Sequence, residues 1–143
     1  MGKRHGKGTY YYKQGYVYEG HWEADLMEGF GVLWAGKDRK MYEGDWHRGK
    51  FHGRGTLVNC AQQMVCEEFD GTNFELLRSG WLMYEGNFKE GKKTGFGVVT
   101  ISNGDKYVGH FVEDTVDGEG SYSRLNGRTI VGKWKKNKLV SQF

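Results

Sequence analysis

The chain has 143 residues, of which 24 are glycine, none is proline and 15% are aromatic. Collagen needs abundant proline and a glycine at every third position, and disordered linkers contain few aromatic residues, so the composition excludes both classes. The net charge is only +3 with the two signs interspersed, and no apolar run approaches the roughly 20 residues of a membrane-spanning helix. We therefore expect one soluble, cytoplasmic domain with no stable membrane insertion and no nucleic-acid partner.

Strands are predicted from a repeat of about 23 residues. Each unit begins with an aromatic residue, a glycine and a second aromatic residue at alternate positions. The complete starts are Tyr18–Trp22, Tyr42–Trp46, Tyr84–Phe88 and Tyr107–Phe111, and Ile130–Trp134 is a degraded one. A Gly-x-Gly pair follows each complete start, at Gly29/Gly31, Gly53/Gly55, Gly95/Gly97 and Gly118/Gly120, and a further pair without a start is Gly6/Gly8. A period of two places rings and glycines on one strand face, where rings can lie over the glycines of the neighbouring strand.

The repeat predicts a single domain covering residues 1–143. It divides into a half repeat at 2–17, full repeats at 18–41, 42–58, 84–106 and 107–129, a half repeat at 130–143 and an insertion at 59–83. Turn-forming stretches between the strands indicate hairpins, so the expected fold is all-β: an elongated, twisted, single-layer antiparallel meander sheet of stacked hairpins. We find no convincing helix. We expect the insertion to project from the sheet as an extended or bulged hairpin with a short helical turn, and to contribute to partner binding.

Two stretches, Tyr42–Trp46 and Gly49–Gly55, resemble the MORN repeat (membrane occupation and recognition nexus). The resemblance covers about residues 2–137 except the insertion. It implies a non-enzymatic protein-interaction scaffold or adaptor, acting as a structural subunit of a large cytoskeletal, membrane-junction or ciliary (axonemal) assembly. Asp25 and Asp114 stand where the family usually has glycine, and we expect them to loosen their turns.

The sequence contains no protease, hydrolase, P-loop or dinucleotide-binding motif. His21 and His110 share a repeat position that Asp45 occupies in another unit, and such mixed occupancy indicates a solvated surface rather than metal ligation. We predict no enzymatic activity, no cofactor and no metal site.

The first candidate binding surface is the aromatic ladder, the strand face that carries the repeated rings. Its members are Tyr18, Trp22, Tyr42, Trp46, Tyr84, Phe88, Tyr107, Phe111 and Trp134. The rings pack on each other for structural purposes alone, or they form a groove for an extended or helical peptide.

The second candidate is an off-ladder patch on the opposite face, where sister repeats carry polar residues. Its members are Phe30, Val32, Trp34, Phe96, Val98, Val108 and Val112. Partner contact and local packing under the insertion are both compatible with these residues.

Two functional classes compete. A protein scaffold is favoured over a peripheral membrane module that binds acidic phospholipids, because the low net charge weakens electrostatic anchoring. The terminal half repeats predict unpaired edges at both ends of the sheet, including one at Ile130–Lys135. Either the chain is a fragment of a longer protein, or strands of a partner or a second copy complete these ends.

Overall fold

The computed structural model describes residues 4–36 and 38–143 of the chain. The strands are β1 (Gly6–Tyr11), β2 (Tyr16–Glu23), β3 (Leu26–Ala35), β4 (Lys40–His47), β5 (Lys50–Val58), β6 (Trp81–Lys89), β7 (Lys92–Ile101), β8 (Lys106–Val112), β9 (Thr115–Ser123), β10 (Thr129–Lys135) and β11 (Lys138–Gln142). They form one antiparallel sheet in sequential order from β1 to β11, which confirms the predicted all-β meander. A single-turn 3-10 helix at Phe74–Leu76 is the remaining regular element of the described residues, which contain no α-helix.

The hairpin within each unit turns through two residues that both have positive φ. Ala24 and Asp25 have φ of 51° and 71°, and Glu90 and Gly91 have φ of 50° and 85°. This is the backbone of a type I′ turn, whose twist matches that of the flanking strands. Glycine is therefore favoured at the second position of the turn, and aspartate is among the residues that tolerate a positive φ there.

The two aspartates hold neighbouring units together, so the expectation that they loosen their turns is wrong. The backbone N–H of Arg4 donates to the Asp25 carboxylate at 2.6 Å, and that of Lys93 donates to Asp114 at 2.7 Å. Asn137 accepts a hydrogen bond from the Val116 N–H in the same way at 2.8 Å. Each side chain satisfies a backbone donor of the preceding unit, which glycine could not do.

The two glycines of each Gly-x-Gly pair serve different purposes. The first has a left-handed backbone, with φ of 72° at Gly29 and 74° at Gly53. The second makes room for a ring, because a Cβ added at Gly31 would lie 2.6 Å from Cε1 of Tyr18. The pairing of rings with bare backbone on the next strand is thus as the spacing predicts.

The aromatic ladder is the core of the sheet. Its nine rings are between 0 and 5% exposed. They pack edge to face, with the centroid of Tyr18 5.0 Å from that of Trp22 and 5.3 Å from that of Trp46. The Tyr18 hydroxyl donates to the His21 carbonyl at 3.0 Å, so the buried phenol is satisfied. Contacts between rings take the place of a second layer.

The insertion folds back over the ladder side of the C-terminal half, so the prediction that it projects from the sheet is wrong. Phe69 and Phe74 are only 1% and 6% exposed. The ring of Phe74 lies 5.3 Å from that of Tyr107 and 6.4 Å from that of Trp134. Burial of these two apolar side chains against the ladder explains the difference. The predicted short helical turn is present, at Phe74–Leu76.

The two edges of the sheet differ. Ile130–Lys135 is not an edge as expected, because β11 pairs with β10 beyond it. The outer side of β11 is bridged by the insertion, where the Leu139 N–H donates to the Thr72 carbonyl at 2.8 Å and Asn73 pairs with Lys138. Among residues 4–36 and 38–143, β1 pairs with β2 and with no other strand.

Candidate functional site

A groove of about 460 Å³ lies on the ladder side of the N-terminal half, beyond the reach of the insertion. Its lining side chains are those of Tyr12, Tyr16, Met27, Leu33, Met41, Trp46 and Phe51, with the backbone of Gly49. None of them carries a charge. We call this surface the open groove.

Strand register places the lining residues beside the ladder. Met27 pairs with Trp22 across the β2–β3 hairpin, and Phe51 pairs with Trp46 across the next one. Leu33 pairs with Tyr18. The groove floor therefore consists mainly of side chains packed on the buried rings, and Trp46 is the ladder ring that lines the groove with them.

Sequence reasoning named the ladder rings and missed this floor. A signal was present nine residues after each unit start, a position that is apolar in four units. Its occupants are Met27, Phe51, Lys93, Val116 and Leu139. Leu33 stands at another repeated position, fifteen residues after the start.

Lys93 is the charged exception, and the fold accommodates it. Its ammonium lies 5.2 Å from the ring centroid of Trp81, 5.6 Å from that of Tyr84 and 3.8 Å from the Asp114 carboxylate. Burial lowers the pKa of Lys93, while Asp114 opposes that change. A lysine at this repeat position is thus compatible with the ladder.

The C-terminal half shows how a chain segment occupies the ladder side. Phe74 of the insertion packs on Tyr107, Tyr122 and Trp134, with the Tyr122 centroid 6.0 Å away. The residues at the same repeat positions in the first full unit are Tyr18, Leu33 and Trp46. The distance between the Tyr107 and Trp134 rings equals that between the Tyr18 and Trp46 rings, 5.3 Å. The open groove is therefore the repeat counterpart of a site that is already filled.

Backbone hydrogen bonds also hold the insertion. The Trp134 indole N–H donates to the Gly71 carbonyl at 2.8 Å, and the Phe74 N–H donates to the Asn137 carbonyl at 2.6 Å. In the open groove, the Trp46 indole N–H already donates to the Gly31 carbonyl at 3.1 Å. An occupant there must rely on apolar contact more than the insertion does.

The off-ladder patch lies on the opposite face and falls into two groups, one on β3 and one on β7 and β8. Phe30 and Phe96 are 52% and 49% exposed. The Trp34 indole N–H donates to Glu19 at 3.0 Å. Local packing under the insertion is wrong as an explanation, because the insertion covers the other face. Partner contact by this patch stays a prediction.

A row of carboxylates crosses the same face. Glu19 pairs with Val32, Val32 with Glu43, Glu43 with Thr56 and Thr56 with Glu85. Acidic side chains therefore alternate with neutral ones across β2 to β6. Lys40 pairs with Glu43 at 2.8 Å, so an anionic membrane surface would meet repulsion mainly from Glu19 and Glu85.

Asp105 is a buried charge that the repeat pattern did not identify. It is 3% exposed and accepts hydrogen bonds from the Tyr122 hydroxyl at 2.7 Å and the Leu125 N–H at 2.8 Å. The guanidinium of Arg124 lies 3.8 Å away. These partners indicate that Asp105 fixes the turn before β10 and the end of the ladder.

The buried ladder tyrosines should make the free energy of unfolding depend on pH in the alkaline range. Burial raises the pKa of Tyr18 and of Tyr84 from 10.0 to about 12. Between these values the unfolded chain has lost phenolic protons that the folded chain retains, so stability should fall as the pH rises from 10 to 12. Denaturant melts at successive pH values check this. A midpoint that is constant across this window would contradict it.

The described part of the chain has neither a cluster of metal ligands nor a membrane-spanning helix. None of its His, Cys, Asp and Glu side chains form a group of three that could hold a metal ion. It has no helix of sufficient length and apolarity to span a membrane.

Comparison with known proteins identifies relatives. The MORN repeat family profile matches residues 1–15, 18–39, 42–59 and 84–106. Alsin from Mus musculus and from Homo sapiens is 34% identical over 101 residues, which is 67% of this chain but only 5% of Alsin. MORN repeat-containing protein 3 from Xenopus laevis is 39% identical over 66 residues, 42% of this chain and 28% of that protein. The chain thus spans a minor part of each relative.

Proposed function

Because this chain belongs to the MORN-repeat proteins, we propose that it is a non-enzymatic scaffold that holds partner proteins in a cytoskeletal or ciliary assembly. MORN repeats are in general modules of protein or membrane interaction. The observation that carries the proposal is the open groove, an uncharged surface on the ladder whose repeat counterpart is filled by a segment of the chain itself.

The occupant of the open groove is a protein segment that presents an aromatic side chain from a turn or a short helix, as the insertion does at Phe74–Leu76. The support is the insertion, in which the ring of Phe74 is the part that reaches the ladder. The backbone of Gly71 lies against the ring of Tyr122, so close that a Cβ at Gly71 would overlap the ring. A segment of this kind combines apolar contact with a close backbone approach.

Protein binding is favoured over binding to acidic phospholipids. The groove lining has no cation to meet a phosphate group. The opposite face presents Glu19, Glu43 and Glu85, and the net charge is only +3. Membrane binding needs clustered basic residues beside the apolar surface.

A labelled synthetic peptide with the sequence of residues 68–77 tests the groove, with binding followed by fluorescence anisotropy. We expect the intact chain to bind it, and Met27→Lys to weaken binding by about tenfold or more, since the bound peptide would take the lysine ammonium out of water. Met27→Lys should fold, because Met27 is only half-buried and a lysine side chain at this position can keep its ammonium in water.

The double variant Trp34→Glu and Phe96→Glu is the matched control on the opposite face, and should bind the peptide as the unmodified chain does. If this control loses binding while Met27→Lys retains it, the peptide binds the off-ladder patch and not the open groove. Co-sedimentation with vesicles of acidic phospholipids at physiological salt is the second arm. Strong sedimentation without peptide binding would overturn the scaffold proposal.

The cytoskeletal or ciliary setting is supported by family membership alone. A fluorescently tagged chain in ciliated cells should concentrate on the axoneme or another cytoskeletal structure, and Met27→Lys should disperse it. A uniform distribution of the unmodified chain would contradict this part of the proposal.

A further inference from the structure

A second pocket, of about 180 Å³, lies where the insertion meets the ladder side of the sheet. We call it the seam pocket. Its apolar wall includes Phe74 of the insertion, Phe111 of β8 and Val116 of β9, which are buried. It shares no lining residue with the open groove. Pockets for drug-sized ligands measure roughly 300–1,000 Å³, so the seam pocket has room for one side chain or a small ion.

The charged residues of the seam pocket are two cations and one anion, Arg78, Lys93 and Asp114. Lys93 stands at the repeat position that is apolar in the other four units. Arg78 and Asp114 are exposed, whereas the Lys93 side chain is only 20% exposed. The exposed pair therefore borders the mouth of the pocket, and the lysine lies further in.

Asp114 compensates the two cations only in part. Its Oδ1 accepts a hydrogen bond from the Lys93 backbone N–H at 2.7 Å, but lies 3.8 Å from the Lys93 ammonium, beyond hydrogen-bond distance. Burial lowers the pKa of Lys93 despite the opposing effect of Asp114. The Arg78 guanidinium has no ion pair or hydrogen bond with any described residue. The seam pocket therefore favours a further negative charge.

We propose that the seam pocket binds the carboxylate of an acidic side chain from a partner protein. The carboxylate accepts hydrogen bonds from the Lys93 ammonium and the Arg78 guanidinium, while the methylene groups of the acidic side chain contact the apolar wall. Such bonds are stronger than neutral ones because donor and acceptor are both charged, and a poorly hydrated wall strengthens them. Only the source of the carboxylate rests on the scaffold proposal.

The position of the seam pocket favours a protein as the source. Lys93 and Phe51 of the open groove hold the same repeat position in successive units, two strands or about 10 Å apart. Between them lies Phe88, which pairs with Lys93 and whose ring centroid is 5.4 Å from that of Phe51. A partner segment that crosses the sheet from the open groove therefore reaches Lys93 next.

The test adds the peptide acetyl-Gly-Glu-Gly-amide, whose glutamate carboxylate is its only charge, to the intact chain. NMR signals of the Lys93 side chain and of the Trp81 indole, 5.2 Å from its ammonium, report binding. We expect saturable shifts with a dissociation constant below about 10 mM. The neutral counterpart, acetyl-Gly-Gln-Gly-amide, should produce none.

Lys93→Met should weaken binding of the glutamate peptide by about tenfold or more, because it removes a charged donor. It should fold, since methionine holds the same repeat position at Met27. Arg78→Gln changes an exposed residue and should also weaken binding without lowering the melting temperature. Lys92→Met is the matched control, because Lys92 is exposed on the other strand face, and should bind as the unmodified chain does.

Three results would overturn the proposal: equal shifts with the glutamine peptide, unchanged binding by both Lys93→Met and Arg78→Gln, or no saturation up to about 50 mM peptide. Binding of sodium acetate without binding of the glutamate peptide would assign the pocket to small free carboxylates and would also overturn it. The open-groove test uses another peptide and another surface, so the two proposals can fail independently.

Discussion

Replacing Gly55 by valine should lower the free energy of unfolding by about 3 kcal/mol or more, the upper part of the range for overpacked cores. A Cβ at Gly55 would lie 2.6 Å from Cε1 of Tyr42, a ring that is 0% exposed. Tyr42 cannot move aside, because its hydroxyl donates to the Asp45 carbonyl at 2.7 Å and Phe51 stacks on it at 4.0 Å. The ring must therefore leave its site or the two strands must separate.

Gly8→Val is the matched control for this prediction. It makes the same change at the same repeat position, where no tyrosine lies above the glycine and an added Cβ would be 3.7 Å from Cδ1 of Trp22, an ordinary contact. Its unfolding midpoint in denaturant should stay close to that of the unmodified chain, since valine is favoured in strands. Equal losses of stability at the two sites would show that glycine is needed for some reason other than space for tyrosine.

Removing the ring of Phe74 should have the second large effect. Phe74→Ala deletes a side chain that is 6% exposed and contacts Tyr107, Tyr122 and Trp134. Truncation of a buried phenylalanine typically costs about 3–5 kcal/mol. We expect the insertion to detach from the ladder, to become sensitive to protease and to expose the rings beneath it.

Glu75→Ala provides the control within the same turn. Glu75 is exposed, and its carboxylate lies 3.8 Å from the Lys138 ammonium, a contact of little energy at a surface. This variant should differ from the unmodified chain by no more than about 0.5 kcal/mol. Protease resistance retained in Phe74→Ala would mean that the insertion is held by its backbone bridge to β11 and not by the ring.

Most of the sheet could be predicted from sequence because its determinants are local. Rings and glycines that alternate with a period of two define a strand face, and a repeat of about 23 residues defines the hairpins. The position of the Tyr18 ring over Gly31 follows from the spacing within one unit. For the same reason the ladder was identified residue by residue.

The insertion could not be predicted in this way, because its position depends on contacts distant in sequence. Gly71 bonds to Trp134, 63 residues away, and no repeat relates the two. The pairing of β11 with β10 was missed because β11 lacks the Gly-x-Gly pair that identifies other second strands. The groove floor was accessible to sequence analysis at Met27 and Phe51, whose repeat position is apolar in four units.

A structure of the chain with the peptide of residues 68–77 tests the central claim most directly. We predict that the ring of the peptide residue equivalent to Phe74 lies in the open groove against Leu33 and Met27, with the insertion still seated on Tyr107 and Trp134. A peptide bound against Phe30 or Phe96 on the opposite face, or one that replaces the insertion and leaves the open groove empty, would contradict it.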